Sequence, residues 1–197
     1  MEALLYMKPL ALDTLRLGLW LLLLTAIFAT VERLWSLRPQ KLFRKEWGLD
    51  VTYFFLSGLI PKLLLILPLT WLTATLHHLV PGGFYEWVGG LPVWLRMGGA
   101  LVVADIGSYW AHRWAHQSPF LWRFHALHHS AEEIDWLVNT RAHPFDLLFI
   151  RLGSLLPMYI LGLAQPMGSR LDWVPLVVTV VGTMWGFLIH ANVRWRF

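Results

Sequence analysis

The chain has 197 residues, 57% of them hydrophobic and only 14% charged, with thirteen tryptophans and a mean hydropathy of +0.54; a soluble core does not need that much apolar sequence. No cysteine is present, which excludes disulfides and thiolate ligands and leaves imidazole and oxygen for any transition metal. The formal charge of +4 comes from basic residues at the ends of apolar runs, without a basic stripe, so they read as membrane-surface anchors and not as a nucleic-acid footprint.

In chain order, the first apolar run covers residues 15–31 and extends back to Leu10 if Asp13 and Arg16 are admitted, enough for one span. It lacks a cleavage-site pattern and further runs follow, so it reads as a retained anchor. The second run, residues 49–76, contains Pro61, Lys62 and Pro68 and predicts a kinked, tilted or re-entrant helix. The third, residues 91–110, has Arg96 near its start and Asp105 deep inside. Two last runs, 147–163 and 173–189, are short for full spans and read as a hairpin that partly crosses. Residues 32–48 hold Arg33, Arg38, Lys41, Arg44 and Lys45, whereas residues 77–92 hold no Lys or Arg. The positive-inside rule therefore puts the first loop, and with it His112 and His190, on the cytoplasmic side. The expected fold is all-α, a multi-pass membrane helical bundle with a cytoplasmic-facing, histidine-rich helical cap. No repeat or linker divides it: transmembrane helices fill residues 1–104 and a histidine-box region residues 105–197, as one continuous domain.

Of nine histidines, five fall between positions 112 and 129. His112 and His116 are i and i+4, one turn apart on one helical face. Ser118-Pro119 predicts a capped restart of helix running through His125, His128 and His129. Three ligands on one arm of such a hairpin and two on the other make a cradle for metal. Asp105 and Tyr109 share the face of His112 and His116, and an intramembrane carboxylate there is assigned to hold a ring N–H of a ligand histidine. Pairing with Arg96, or capping of buried backbone, is the plainer alternative. His77 and His78 fall on the opposite membrane face and read as interfacial.

His-Arg-x-x-His from His112, Leu-Trp-x-Phe-His-x-x-His-His-Ser from Leu121, and Asn139-Thr-Arg141-Ala-His143-Pro144 together resemble the fatty acid hydroxylase superfamily, which includes sterol desaturases. The resemblance covers residues 105–192 and implies a membrane-bound oxygenase with two iron ions on histidines, O2 as co-substrate, a lipid substrate (fatty acyl, sterol or related) and a product hydroxylated or desaturated. It implies metal ligation by His112, His116, His125, His128 and His129, and by His190 at the end of the last run. His143, Asn139, Arg141 and Asn192 are expected behind the ligands or along a substrate channel. Zinc can substitute on the same imidazoles. Electrons are expected from an external donor of cytochrome b5, ferredoxin or reductase type, because no haem-attachment or dinucleotide fingerprint is present. An integral location in a bacterial inner membrane or the endoplasmic reticulum is implied.

Family members carry a further His-x-x-His-His box after a segment like residues 190–197, so the chain is expected to be part of a longer protein. The alternatives are a non-enzymatic membrane metal or haem binder, or an inactive fragment of the oxygenase. A zinc hydrolase is disfavoured by the lack of His-Glu-x-x-His, since Glu132 and Glu133 come only after the boxes.

Overall fold

Helix formation follows the apolar runs closely in the computed structural model, which describes residues 2–164 and 173–194. The α-helices among them are α1 (Glu2–Leu34), α2 (Trp47–Leu79), α3 (Gly82–Gly89), α4 (Val93–Gln117), α5 (Pro119–His125), α6 (Pro144–Ile160) and α7 (Val174–His190), with 3-10 turns at His128–Ser130 and Trp136–Thr140. Helices and connecting loops make up the described residues; no β-strand forms among them, only one isolated bridge between Ser36 and Val193.

Each helix differs from its apolar run in an informative way. α2 continues through Pro61 and Pro68, each of which removes one backbone hydrogen bond from the ladder without ending it. α4 outlasts its apolar run by seven residues, to Gln117, and so carries His112 and His116 as a polar extension. α3 and α4 are bent by 111° at the break before Val93, where Pro92 lacks the N–H a continuous helix needs and its carbonyl starts the α4 ladder. The two runs expected to form a hairpin become α6 and α7, 17 residues each, about 25 Å at 1.5 Å per residue against a hydrocarbon core of about 30 Å, but each packs chiefly on α4 and not on the other.

Two apolar clusters hold the helices. In one, Ala100, Ala104, Met158, Val174 and Val178 join α4, α6 and α7. The α4–α6 contact depends on small residues: a Cβ on Gly107 would sit 2.1 Å from the Gly153 carbonyl oxygen, and one on Gly153 would sit 2.5 Å from the Ala111 Cβ. The backbones therefore touch. Farther along, Gly162 takes φ +69° and lets Tyr85 of α3 pack where a side chain would stand.

The second cluster joins Leu24 and Phe28 of α1, Phe54 of α2, Trp136, Leu137 and Phe187 of α7. Trp136 stacks on Phe28 at 5.5 Å and meets the Phe187 ring edge-on at 5.3 Å, contacts worth about 0.5–1.5 kcal/mol each beyond their buried area. They pin the Trp136–Thr140 turn between α1 and α7. As a result the ends of α1, α4 and α7 and the starts of α2 and α6 meet at one end of the bundle, where the histidines lie.

The outer surface is strongly apolar: Leu22, Leu67, Trp71 and Trp94 are 69%, 76%, 71% and 70% exposed, a pattern suited to lipid contact. Among the described residues one helix, Pro9–Leu34, is long and apolar enough to cross a membrane, and the bent α3–α4 pair passes the same test together.

Candidate metal centre

The site is assembled from three short structural decisions. α4 places His112 and His116 one turn apart at its C-terminal end, with their Nε2 atoms 3.0 Å apart. Ser118 then leaves the helix in extended conformation, accepts the Leu121 N–H at 3.4 Å, and restarts the chain as α5 with Pro119 at the first position, as the Ser-Pro signal predicts. The helix expected to run on to His129 instead stops at His125. A turn and the 3-10 segment His128–Ser130 follow, closed by the Ser130 hydroxyl on the Leu127 carbonyl.

That break has a consequence for the rings. On a continuous helix His125, His128 and His129 would share one face; here His129 turns back, its Nε2 3.1 Å from that of His125, while His128 faces His190, Nε2 to Nε2 at 3.0 Å. One ligand atom from each of His112, His116, His125 and His129 lies within 4.8 Å of the others. The structure thus brings all six candidate ligands together, as a group of four and a pair.

The far nitrogens are tied down. His125, buried at 1% exposure, has its Nδ1 3.0 Å from both carboxylate oxygens of Asp146. The His128 Nδ1 meets the Arg141 carbonyl at 3.1 Å, and the His190 Nδ1 meets the Gly186 carbonyl at 2.8 Å. A carbonyl oxygen only accepts, so in these last two rings Nδ1 carries the proton and both Nε2 lone pairs point at each other. Such a pair repels unless a cation lies between. A shared proton is a poor solution: burial above all, then the charge of His190, pushes the His128 pKa down to about 3. A metal ion suits the donor set. Two nitrogens 3.0 Å apart subtend about 90° at a metal about 2.1 Å from each, the angle between neighbouring ligands of an octahedral site. Axial ligands on opposite faces of a haem would stand about 4 Å apart for bonds of about 2 Å, so these pairs do not fit haem.

Behind the second pair is a buried ion network. Arg141, 1% exposed, offers its carbonyl to His128 while its guanidinium donates to Asp50 and, at 2.7 Å, to Glu46. Arg44 donates to both oxygens of Asp135, at 2.8 and 2.9 Å, and to Asp50. Asp135 also accepts the Leu137 and Val138 N–H groups and so caps the Trp136–Thr140 turn. Burial pulls the pKa of both arginines down, but the hydrogen bonds and charges of the acids outweigh it and leave both above the usual range. Both therefore stay charged.

The supporting residues expected from sequence fare unevenly. Asp105 is exposed, no ring nitrogen or Arg96 bond to it exists among the described residues, and the carboxylate behind a cluster histidine is Asp146. Although seven residues return to the same helical face, they also rise about 10 Å along the axis, out of reach of a ring. Tyr109 is exposed and accepts from Arg113 at 2.9 Å. His143 caps α6, its Nδ1 accepting the Phe145 N–H at 3.1 Å, and so serves the helix that presents Asp146. Asn139 packs against Gly186, where a Cβ would come within 2.8 Å of its amide nitrogen; this holds the carbonyl that orients His190. Asn192 bonds the Arg38 backbone through both amide atoms, at 3.1 and 2.7 Å, and anchors a loop, not a channel. His78 is exposed, and the side chain of His77 lies outside the described residues.

Asp146, Asp50 and Gly186 escape sequence reasoning. The available signal for Asp146 was its place in the first turn after Arg-x-His-Pro, where an acid also favours the helix dipole.

The family model for fatty acid hydroxylases matches residues 97–197 of this chain. Ornithine lipid hydroxylase OlsE of Rhizobium tropici is 41% identical over 112 residues, which are 56% of this chain and 31% of that protein. The chain therefore spans about a third of the length of this curated relative. No solved structure matches.

Proposed function

This chain belongs to the fatty acid hydroxylase family, and from that premise we propose that it forms the histidine-bearing part of a membrane-bound lipid hydroxylase. Two iron ions would be held, one by His112, His116, His125 and His129, the other by His128 and His190 with ligands from elsewhere. When bound, such a pair supplies with O2 the oxidising power to break an unactivated C–H bond, which no side chain provides. The reaction consumes O2, two electrons and two protons, inserts one oxygen atom into the C–H bond and releases the other as water. The electrons come from a separate donor protein of cytochrome b5, ferredoxin or reductase type.

The residues of this chain do the positioning. Asp146 keeps the His125 proton on Nδ1, and the carbonyls of Arg141 and Gly186 do the same for His128 and His190, so each Nε2 is free to bind metal. The apolar helix faces beside the site exclude water and accept a lipid chain from the side. In this reading α2 and α4 cross the membrane with α1 and the shorter α6 and α7 cross it in part, in a bacterial inner membrane or the endoplasmic reticulum, and the histidines face the cytoplasm.

The convergence of six imidazoles, three with their far nitrogens fixed, is the observation that carries the proposal. The name of the Rhizobium relative makes an ornithine lipid the first substrate to test. Lipid mass spectrometry of cells that make ornithine lipids and express the protein should show a species heavier by one oxygen, absent with His128→Ala. Identical lipid profiles would overturn it, and metal retention without a lipid product would favour the metal-carrier reading.

A further inference from the structure

Away from the histidines, the end of α1 borders a partly open cavity of about 320 Å3, lined also by Ser36, residues 38–42, Trp47 at the start of α2, Asp135, Trp136 and Asn192. Three of its lining side chains are cationic: Arg33, Arg38 and Lys41. None of the three has a side-chain partner among the described residues. The acids that share the lining are already engaged. Glu32 accepts the backbone N–H groups of Trp136 and Asn192 at 2.8 and 2.9 Å, and Asp135 is paired with Arg44.

The wall is also held in place. Ser36 bridges to Val193, the Leu37 N–H donates to the Asn192 carbonyl at 3.2 Å, Asn192 grips the Arg38 backbone from both sides, and the Gln40 amide donates to the Ile134 carbonyl at 3.2 Å. A flexible surface loop would not need these bonds, so the cations are presented on a fixed frame. Around them Leu34, Trp35, Leu37 and Phe43 are 65%, 58%, 52% and 67% exposed. Aromatic and aliphatic side chains beside basic ones, at the end of the apolar helix Pro9–Leu34, have the composition of a bilayer interface.

We propose that this cavity binds the phosphate of an anionic membrane glycerophospholipid, with Arg33, Arg38 and Lys41 receiving the headgroup and Trp35, Leu37 and Phe43 lying in the interface around it. Basic pockets beside membrane helices favour such headgroups over zwitterionic ones, because the positive field is not cancelled by a choline or ethanolamine. The site is separate from the histidine centre and needs no metal.

Native mass spectrometry of the whole chain, extracted with mixed lipids, tests this. Phosphatidylglycerol should remain bound where phosphatidylcholine does not, and Arg33→Gln, Arg38→Gln and Lys41→Gln should each weaken retention about fivefold, the triple variant far more. Arg16→Gln with Lys45→Gln should leave it unchanged. Equal retention of the two lipids, or of phosphatidylglycerol by the triple variant and the parent, would overturn the site. Millimolar inorganic phosphate that displaces the lipid completely and binds alone with the same cation dependence would overturn the lipid assignment in favour of a free-phosphate site.

Discussion

Replacing Asp146 by alanine tests the four-histidine group at its most buried ring, His125. The carboxylate is 5% exposed and His125 1% exposed, and both oxygens face Nδ1 at 3.0 Å. Removing it leaves a buried N–H without an acceptor, which costs about 1–3 kcal/mol. The imidazole can avoid that cost by moving its proton to Nε2, but this occupies the lone pair a metal needs. Either outcome weakens the four-histidine group. Loss of a carboxylate behind a ligand histidine lowers metal affinity about 10- to 100-fold, equivalent to about 1.4–2.7 kcal/mol. Asp146→Asn, which keeps an acceptor but not the charge, should fall near the lower figure and Asp146→Ala near the upper. Cobalt(II) or zinc titration against a chelator of known affinity reads this directly. The control is Asp105→Asn, which should change nothing. Wild-type affinity in Asp146→Ala, or equal losses in Asp105→Asn, would refute the assignment of Asp146.

Two further outcomes follow from the packing and from the buried rings. Gly153→Leu must push α6 off α4, because even its Cβ would lie 2.5 Å from that of Ala111. It should destabilise the protein by about 1–3 kcal/mol and weaken metal binding, since α6 carries Asp146, whereas Gly99→Ala meets Leu163 at an ordinary 3.7 Å and should be tolerated in a thermal melt. The folded-state pKa of His128 is pushed down to about 3 and that of His129 is also lowered, in both cases mainly by burial. A lowered value means the unfolded chain binds protons first, so their contribution to stability is complete above pH about 6.5 and is lost as pH falls toward 3. Thermal midpoints of the metal-free protein in detergent should therefore drop steadily from pH 7 to pH 4, and a flat profile would contradict the burial of these rings.

The pairing of His112 with His116 was legible in the sequence, since helical periodicity alone fixes neighbours at i and i+4. So was the restart at Ser118, because capping is a local preference. His190 could be brought to the same end by counting crossings, although no local rule gives its contact with His128. The failures share a cause. Angular register puts Asp105 on the face of His112 and His116 but says nothing of distance along the axis. Asp146 lies 21 residues beyond His125, across a loop whose path is set by Arg141 on Asp50 and by Trp136 between Phe28 and Phe187. Those are contacts between elements far apart in sequence, to which periodicity is blind.

Those same contacts assign work to the part of the chain that the family match leaves out. The match begins at residue 97, yet Arg44, Glu46 and Asp50 all precede it and close on Arg141 and Asp135. Asp50, fully buried, accepts from both arginines, so removing it takes a buried acceptor from each, about 1–3 kcal/mol apiece. Because the Arg141 carbonyl is what fixes the His128 proton on Nδ1, the start of α2 acts on the second imidazole pair through a single residue. The residues before the match therefore shape the site: α1 and α2 supply the apolar and ionic surfaces against which the histidine loop takes its shape.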